Sequence, residues 1–260
     1  MSKLERDAAN KVPAVTFGFW VIKVAATTLG ETGGDAVTMT LNLGYLIGTL
    51  IFGVVLIVAV GTQIRAKRFH PFLYWFAIVA TTTVGTTLAD LVDRSLGVGY
   101  TGGATILLAL VLVSLGLWYA VCGSVSVGTI ATAKVEAFYW TTILFSQTLG
   151  TALGDWLADS AGLGYEGGAL IFAAGLALVV AASFFTKLSR TWLFWTAFIL
   201  TRPLGATVGD LLDKPPAQGG LGFGRFTASA VLLVFMCACI LLIPQRAGRH
   251  PGEGPSKVEP

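Results

Sequence analysis

Hydrophobic runs dominate the chain, and polar residues recur at fixed positions inside every second run. Four such segments align without a gap, at residues 19–35, 74–90, 139–155 and 194–210. In each copy a Trp stands ten residues before a Gly, and that Gly stands five residues before an Asp. The repeated positions are Trp20, Trp75, Trp140 and Trp195; Gly30, Gly85, Gly150 and Gly205; and Asp35, Asp90, Asp155 and Asp210. A pattern repeated four times predicts four equivalent helices.

A second, plainly apolar run follows each Asp after a Gly-rich turn. The turns carry Gly44-Tyr45, Gly99-Tyr100, Gly164-Tyr165 and, after a longer loop, Gly222-Phe223. The runs that follow cover 46–61, 104–121, 169–185 and 228–243, close to the roughly 17–25 residues that span a bilayer. The sequence therefore predicts an all-α, polytopic membrane protein. Its eight transmembrane helices form four parallel helical-hairpin repeats.

The repeats define the expected domain organisation. Residues 1–11 form a cytoplasmic N-terminal segment, and residues 12–246 form the eight-helix transmembrane domain. Within that domain the repeats cover about 12–66, 67–123, 132–188 and 189–246. The polar tail, 247–260, has the composition of a disordered cytoplasmic segment.

Composition supports the membrane assignment and excludes several classes. Hydrophobic residues make up 55% of the chain and charged residues 12%, whereas a soluble domain has about 25% charged residues. The lipid bilayer is therefore an expected partner. A net charge of +3 is too small to indicate a nucleic-acid partner. No catalytic or cofactor-binding motif occurs, so we expect neither an enzyme nor a bound cofactor.

Basic residues predict the orientation. Each repeat contains two spans, so all four Asp ends face the same side of the membrane. Only Arg94, Lys214 and Arg225 lie on that side, while twelve Lys and Arg residues lie at the termini and in the loops of the other side. The excess of basic residues marks the cytoplasm. We therefore expect both termini to be cytoplasmic in a multi-pass protein of the inner (plasma) membrane.

A polar stripe runs along the Trp–Asp helices. Positions 3, 7, 11 and 15 after each Trp share one helix face. In the first copy these positions hold Lys23, Thr27, Glu31 and Asp35. Position 7 holds Gln147 in the third copy and Arg202 in the fourth. Charges at membrane depth are costly unless paired and indicate a functional site. Carboxylates of Glu31 or the Asp residues could neutralise Lys23 and Arg202.

Four such helices around an axis would gather a cluster of carboxylates. An oxygen-rich site suits hard cations such as Mn²⁺, Mg²⁺ or Ca²⁺. We therefore expect a transporter or exporter of a small cation, for which a divalent metal such as manganese is one candidate substrate. Its metal-binding residues would be Glu31, Asp35, Asp90, Asp155 and Asp210. Lys23, Thr27, Gln147 and Arg202 complete the candidate ion-binding set.

Other interpretations stay open. Lys23 and Arg202 could contact an anion or a zwitterion in a carrier of that class. The chain could also be a membrane scaffold subunit without transport, in which the charges form a structural ion-pair network. The sequence leaves a homo-oligomer open as well.

At its four Trp-to-Asp repeats the chain resembles a bacterial family labelled uncharacterised membrane-anchored protein. That resemblance implies a multi-pass inner-membrane protein and no particular mechanism. A weaker local likeness is to cation/proton exchangers with E-x-G-D-[KR]-[TS] motifs, and it implies acidic-helix chemistry. Here the segment Glu31 to Asp35 has one residue more than that motif and lacks the basic residue after the Asp.

Overall fold

The computed structural model describes residues 10–130 and 132–248, and these residues contain eight α-helices of 18 to 24 residues. The predicted segment 1–11 and tail 247–260 lie mostly outside the described residues. We number the helices in chain order: α1 Phe17–Asp35, α2 Gly44–Arg65, α3 Pro71–Asp90, α4 Gly99–Cys122, α5 Ala133–Asp155, α6 Gly164–Phe185, α7 Arg190–Asp213 and α8 Arg225–Leu242. The expected all-α fold is confirmed.

The four Trp–Asp helices close into a ring, which we call the inner ring. Helix α1 packs on α3, α3 on α5, α5 on α7, and α7 returns to α1. The repeated glycines explain the close approach, because a Cβ atom added at each would overlap the residue at position 7 of the following copy. The contacts are Gly30 with Thr82, Gly85 with Gln147, Gly150 with Arg202, and Gly205 with Thr27. Small residues at such crossings let helix backbones come together.

The even-numbered helices form an outer layer that interlocks the repeats. Each packs on the inner helix of the next copy: α2 on α3, α4 on α5, α6 on α7, and α8 on α1. The outward faces of these helices are apolar and exposed, as at Ile57, Leu170 and Val234. By length and composition five helical segments could cross a membrane, namely Gly44–Arg65, Pro71–Ser95, Gly99–Cys122, Gly164–Phe185 and Arg225–Leu242.

The turns after the Asp residues differ between copies. In the first three copies a π-helical turn continues the inner helix, at Ala36–Thr40, Leu91–Ser95 and Trp156–Ser160. In the fourth copy the α-helix itself continues to Asp213. Three outer helices begin at a glycine with positive φ, and α8 begins directly after one; these are Gly44, Gly99, Gly164 and Gly224. Glycine adopts this conformation without a steric cost.

The fourth turn corrects the sequence alignment by two residues. Positive φ occurs at two residues two positions apart in each turn, Asn42 and Gly44 in the first copy and Gly222 and Gly224 in the fourth. Gly224-Arg225 therefore occupies the place of Gly44-Tyr45. The alignment had placed Gly222-Phe223 there. The Pro-containing loop after Asp213 is longer than its counterparts and shifts the register. The shift places Arg225 close to the Asp residues.

Aromatic side chains close the opposite end of the inner ring, which we call the Trp end. The residue before each Trp contacts the Trp of the next copy, with ring centroids 5.3 to 6.2 Å apart. The pairs are Phe19–Trp75, Tyr74–Trp140, Tyr139–Trp195 and Phe194–Trp20. The hydroxyls of Tyr74 and Tyr139 are also hydrogen-bonded at 2.7 Å. The ring is therefore sealed at one end by a cyclic aromatic layer.

Candidate ion site along the bundle axis

All of the candidate site residues are buried in the bundle. None is more than 3% exposed, and the set comprises Lys23, Thr27, Glu31, Asp35, Asp90, Gln147, Asp155, Arg202 and Asp210. Their side chains form successive layers from the Trp end to the Asp end, because positions 3, 7, 11 and 15 are one helical turn apart.

Arg202 reaches the other three copies at the layer of position 11. Its Nη2 donates to Glu31 Oε2 at 2.8 Å, to Thr86 Oγ1 at 2.6 Å and to Thr151 Oγ1 at 2.5 Å. A guanidinium that contacts α1, α3 and α5 from α7 must lie close to the ring axis. Glu31 therefore neutralises Arg202, as the sequence suggested.

Lys23 has a different environment. Its Nζ donates to Gln147 Oε1 at 3.5 Å and lies 4.1 Å from the centroid of the Phe198 ring. Among the described residues no carboxylate oxygen lies within 4.0 Å of this Nζ. The sequence suggested a carboxylate partner for both basic residues. Arg202 has one, Glu31, whereas Lys23 has none among the described residues.

Two basic side chains bridge the four Asp residues in pairs. Arg94 contacts Asp90 through Nε at 2.9 Å and Asp155 through Nη2 at 3.3 Å. The second bridge is made by Lys214 Nζ, which lies 2.8 Å from Asp35 Oδ2 and 3.0 Å from Asp210 Oδ1. We call these two contacts the Arg94 bridge and the Lys214 bridge. In each bridge the basic residue contacts the Asp four residues before it in the chain and also the repeated Asp of the next copy.

Sequence reasoning missed both bridges, although a signal was present. Arg94 follows Asp90 by four residues and Lys214 follows Asp210 by four residues, the spacing at which opposite charges meet on a helix. Burial lowers the pKa of the Lys214 ammonium, but the carboxylates of Asp210 and Asp35 outweigh burial and raise that pKa above its ordinary value. Lys214 therefore stays charged, and the row of Asp residues is not a bare acidic cluster.

Three carboxylates nevertheless come together at the Asp end. One oxygen from each of Asp35, Asp210 and Asp213 lies within 4.8 Å of the other two, and all three residues are buried. Arg225 Nε is 3.4 Å from Asp35 Oδ2 and 3.6 Å from Asp213 Oδ2. Within the described residues, Asp35 Oδ1 and both Asp213 oxygens accept no hydrogen bond. We call Asp35, Asp210 and Asp213 the carboxylate triad.

The Asp-end layer keeps an excess of negative charge. Six buried carboxylates lie there, from Asp35, Asp90, Asp93, Asp155, Asp210 and Asp213. Among the described residues, the basic side chains in contact with them are Arg94, Lys214 and Arg225, so the set carries a formal charge of −3 when every member is ionised. Oxygen atoms in such a layer suit a hard cation. Asp213 was not among the site residues predicted from the sequence, because it lies one turn beyond the repeated Asp.

A cavity of about 540 Å³ lies elsewhere, on the outside of the bundle between α1, α6 and α7. Its lining is mostly apolar and includes Phe17, Trp20 and Leu176. None of the nine predicted site residues lines it. The polar chemistry of the molecule is therefore at the ring axis and not in this cavity.

The fold and the site together define a class: a four-repeat helical bundle with an apolar exterior and a charged, buried axis. The chain belongs to the family described as Repeat of Unknown Function (DUF347), whose model matches residues 18–69, 73–123, 138–189 and 193–246. The comparison with curated proteins and the comparison with solved structures gave no match. The weaker likeness to cation/proton exchangers receives no support from these comparisons.

Proposed function

We propose that the protein is a multi-pass protein of the inner membrane with both termini in the cytoplasm. The apolar exterior and the five helical segments that could span a bilayer support this placement. The remaining inner helices carry the polar stripe and are shielded by their neighbours, as expected for spans that face the interior of a bundle. The distribution of basic residues supports the orientation.

In that membrane the protein transports a small cation, with a divalent metal such as Mn²⁺ as the favoured substrate. The observation that carries this proposal is the buried carboxylate triad, whose oxygens lie within 4.8 Å of one another in a layer of net negative charge. Carboxylate oxygens at this spacing can converge on one hard cation. The excess negative charge also concentrates cations at the entrance.

Lys214 acts as a tethered competitor for the cation. Its ammonium lies 2.8 Å from Asp35 and 3.0 Å from Asp210, two of the three triad residues. An arriving divalent cation displaces this side chain, and departure of the cation lets it return. The exchange keeps the buried carboxylates neutralised in both states, which lowers the electrostatic cost of releasing the ion.

Each end of the inner ring is closed by side chains that separate the ring axis from one side of the membrane. The aromatic layer closes the Trp end, and the Arg94 and Lys214 bridges close the Asp end. A carrier needs a closure on each side of its site so that the two sides open alternately. Opening of the Lys214 bridge exposes the carboxylate triad to the exterior in this scheme.

A flux assay tests the proposal. The full chain is reconstituted into liposomes that contain a fluorescent indicator of divalent cations, and uptake of Mn²⁺, Mg²⁺ and Ca²⁺ is recorded separately. We expect uptake of at least one of them above that of empty liposomes. Asp213→Asn should lower this uptake at least about tenfold, because a triad ligand loses its charge.

Asp159→Asn is the matched control. Asp159 is an exposed carboxylate at the same end of the bundle and is not a member of the triad. Its substitution should leave uptake unchanged. Uptake of every cation equal to that of empty liposomes, by protein that elutes as a single species, would refute transport and favour the scaffold interpretation. Equal losses in both variants would refute the assignment of the triad.

A further inference from the structure

Buried N–H groups without a partner lie around the middle of the ring axis. Arg202 Nε and Nη1 and Gln147 Nε2 are buried and have no hydrogen-bond partner among the described residues. Lys23 Nζ has only the 3.5 Å contact with Gln147 Oε1 and the face of Phe198. A buried donor without a partner costs free energy, and Gln147 and Arg202 both carry such a cost.

These three side chains belong to one region. Lys23 contacts Gln147 directly and also contacts Phe198, which lies one turn before Arg202 on α7. Gly150, one turn after Gln147 on α5, packs against Cβ and Cγ of Arg202. The donors therefore come from α1, α5 and α7 at adjacent layers of the axis.

The charge of this region has the opposite sign to that of the Asp end. In their ionised forms Lys23 and Arg202 carry two positive charges, and both side chains are fully buried. Among the described residues, Glu31 contacts Arg202 through Nη2, and no carboxylate contacts Lys23. A formal charge of +1 thus stays at the axis, in a region where a lone charge is strongly unfavourable.

We propose that Lys23, Gln147 and Arg202 form a binding site for a small monovalent anion, either a halide or a small carboxylate. One negative charge balances the excess at the axis, and an anion is an acceptor for the unpartnered N–H groups. The site is separate from the carboxylate triad and does not require that the protein transport a cation. Buried glycines and aromatic rings around it favour a small ligand over a large or multivalent one.

Thermal unfolding of the full chain in lipid nanodiscs tests this site, with intrinsic tryptophan fluorescence as the readout. Sodium chloride, bromide and acetate are compared with sodium gluconate at constant pH and ionic strength. We expect a saturable rise in Tm of about 2–4 °C with at least one small anion and none with gluconate. A response to chloride and bromide alone identifies a halide site, and an equal response to acetate identifies a carboxylate site.

Two variants test whether the anion acts at Lys23 and Gln147 on the ring axis. Lys23→Met keeps the side-chain length and removes the charge, so it should abolish the anion response. Gln147→Glu provides a tethered carboxylate beside Lys23, so it should raise Tm in gluconate and also abolish the response. Lys134→Met, at an exposed lysine, should retain it. The proposal is overturned if the small anions act like gluconate, or if both axis variants respond as the unmodified chain does.

Discussion

At the scale of single residues, the axis departs from the symmetry of the repeats at a few positions. Position 11 is Thr86 in the second copy and Thr151 in the third, but Glu31 in the first. Arg202 in the fourth copy then contacts all three of these residues. Four copies with the same neutral side chain would hold no charge in this layer. The layer instead contains one buried ion pair, between Glu31 and Arg202.

Loss of one partner of this pair should be more harmful than loss of both. Glu31→Gln leaves the Arg202 charge buried and unpaired, so we expect it to lower the free energy of unfolding by about 3–5 kcal/mol. The double variant Glu31→Gln/Arg202→Gln should lose less than the two single variants together, because neither charge then lacks its partner.

Titration of the reconstituted chain with a denaturing detergent measures these free energies. Asp159→Asn serves as the control and should change stability by less than about 0.5 kcal/mol. Additive losses in the double variant would show that Arg202 and Glu31 do not interact.

At the scale of helices, the repeated glycines set the distance between neighbours in the inner ring. A Cβ atom added at Gly30 would overlap Oγ1 and Cβ of Thr82, whereas a Cβ atom added at Gly53 in α2 would meet no atom within 4 Å. The two glycines therefore have different roles, although both lie inside helices of the first repeat.

This difference predicts opposite effects of the same substitution. Gly30→Ala should destabilise the protein by about 1–3 kcal/mol, because α1 and α3 must move apart. Gly53→Ala should be neutral or stabilising by up to about 1 kcal/mol, since alanine favours a helix over glycine. The same detergent titration measures both. Equal effects would contradict the close approach of α1 and α3.

The helices themselves were largely predictable from the sequence, but their contacts were not. The Trp, Gly and Asp positions predicted four equivalent helices, and the apolar runs predicted the other four. Residues distant in sequence decide which helix an apolar face meets, so the packing of α2 on α3 could not be read from periodicity. The register of the fourth turn was also wrong by two residues, because its loop is longer.

The candidate site was also predictable only in part: the buried residues followed from the sequence, but their contacts did not. All nine residues predicted from the stripe are buried, but their role in binding an ion stays a prediction. The Arg94 and Lys214 bridges were missed because each depends on an Asp from another copy, which local spacing does not identify. Asp213 was left out of the predicted set because it lies one turn beyond the repeated Asp, and its contacts with Asp35 on α1 and Arg225 on α8 depend on the fold.

At the scale of the whole molecule, the contact of α8 with α1 closes the bundle. Thr32 Oγ1 and Ser229 Oγ are 2.8 Å apart across this contact, although 197 residues separate them in sequence. The fourth repeat thus returns to the first, and the bundle is a closed ring and not an open row of repeats.

A cross-link tests this closure. In a chain whose three cysteines have been replaced by alanine, Thr32→Cys/Ser229→Cys should form an intramolecular disulfide under mild oxidation, because the two side chains already touch. Mass spectrometry of the digested protein detects the linked peptides. The pair Thr32→Cys/Ser114→Cys is the control, since Ser114 lies on α4 and bonds within its own helix. Equal yields for the two pairs would contradict the ring.

Equilibrium binding of radioactive ⁵⁴Mn²⁺ to the purified full chain tests the central claim most directly, because it depends on neither the direction nor the coupling of transport. The account predicts saturable binding of one ion per chain. It predicts at least about tenfold weaker binding in Asp213→Asn, which loses a carboxylate ligand, and unchanged binding in Asp159→Asn. Lys214→Met should bind more tightly, because the tethered competitor is gone. Absence of saturable binding, or equal affinity in the unmodified chain and Asp213→Asn, would contradict a cation site at the carboxylate triad.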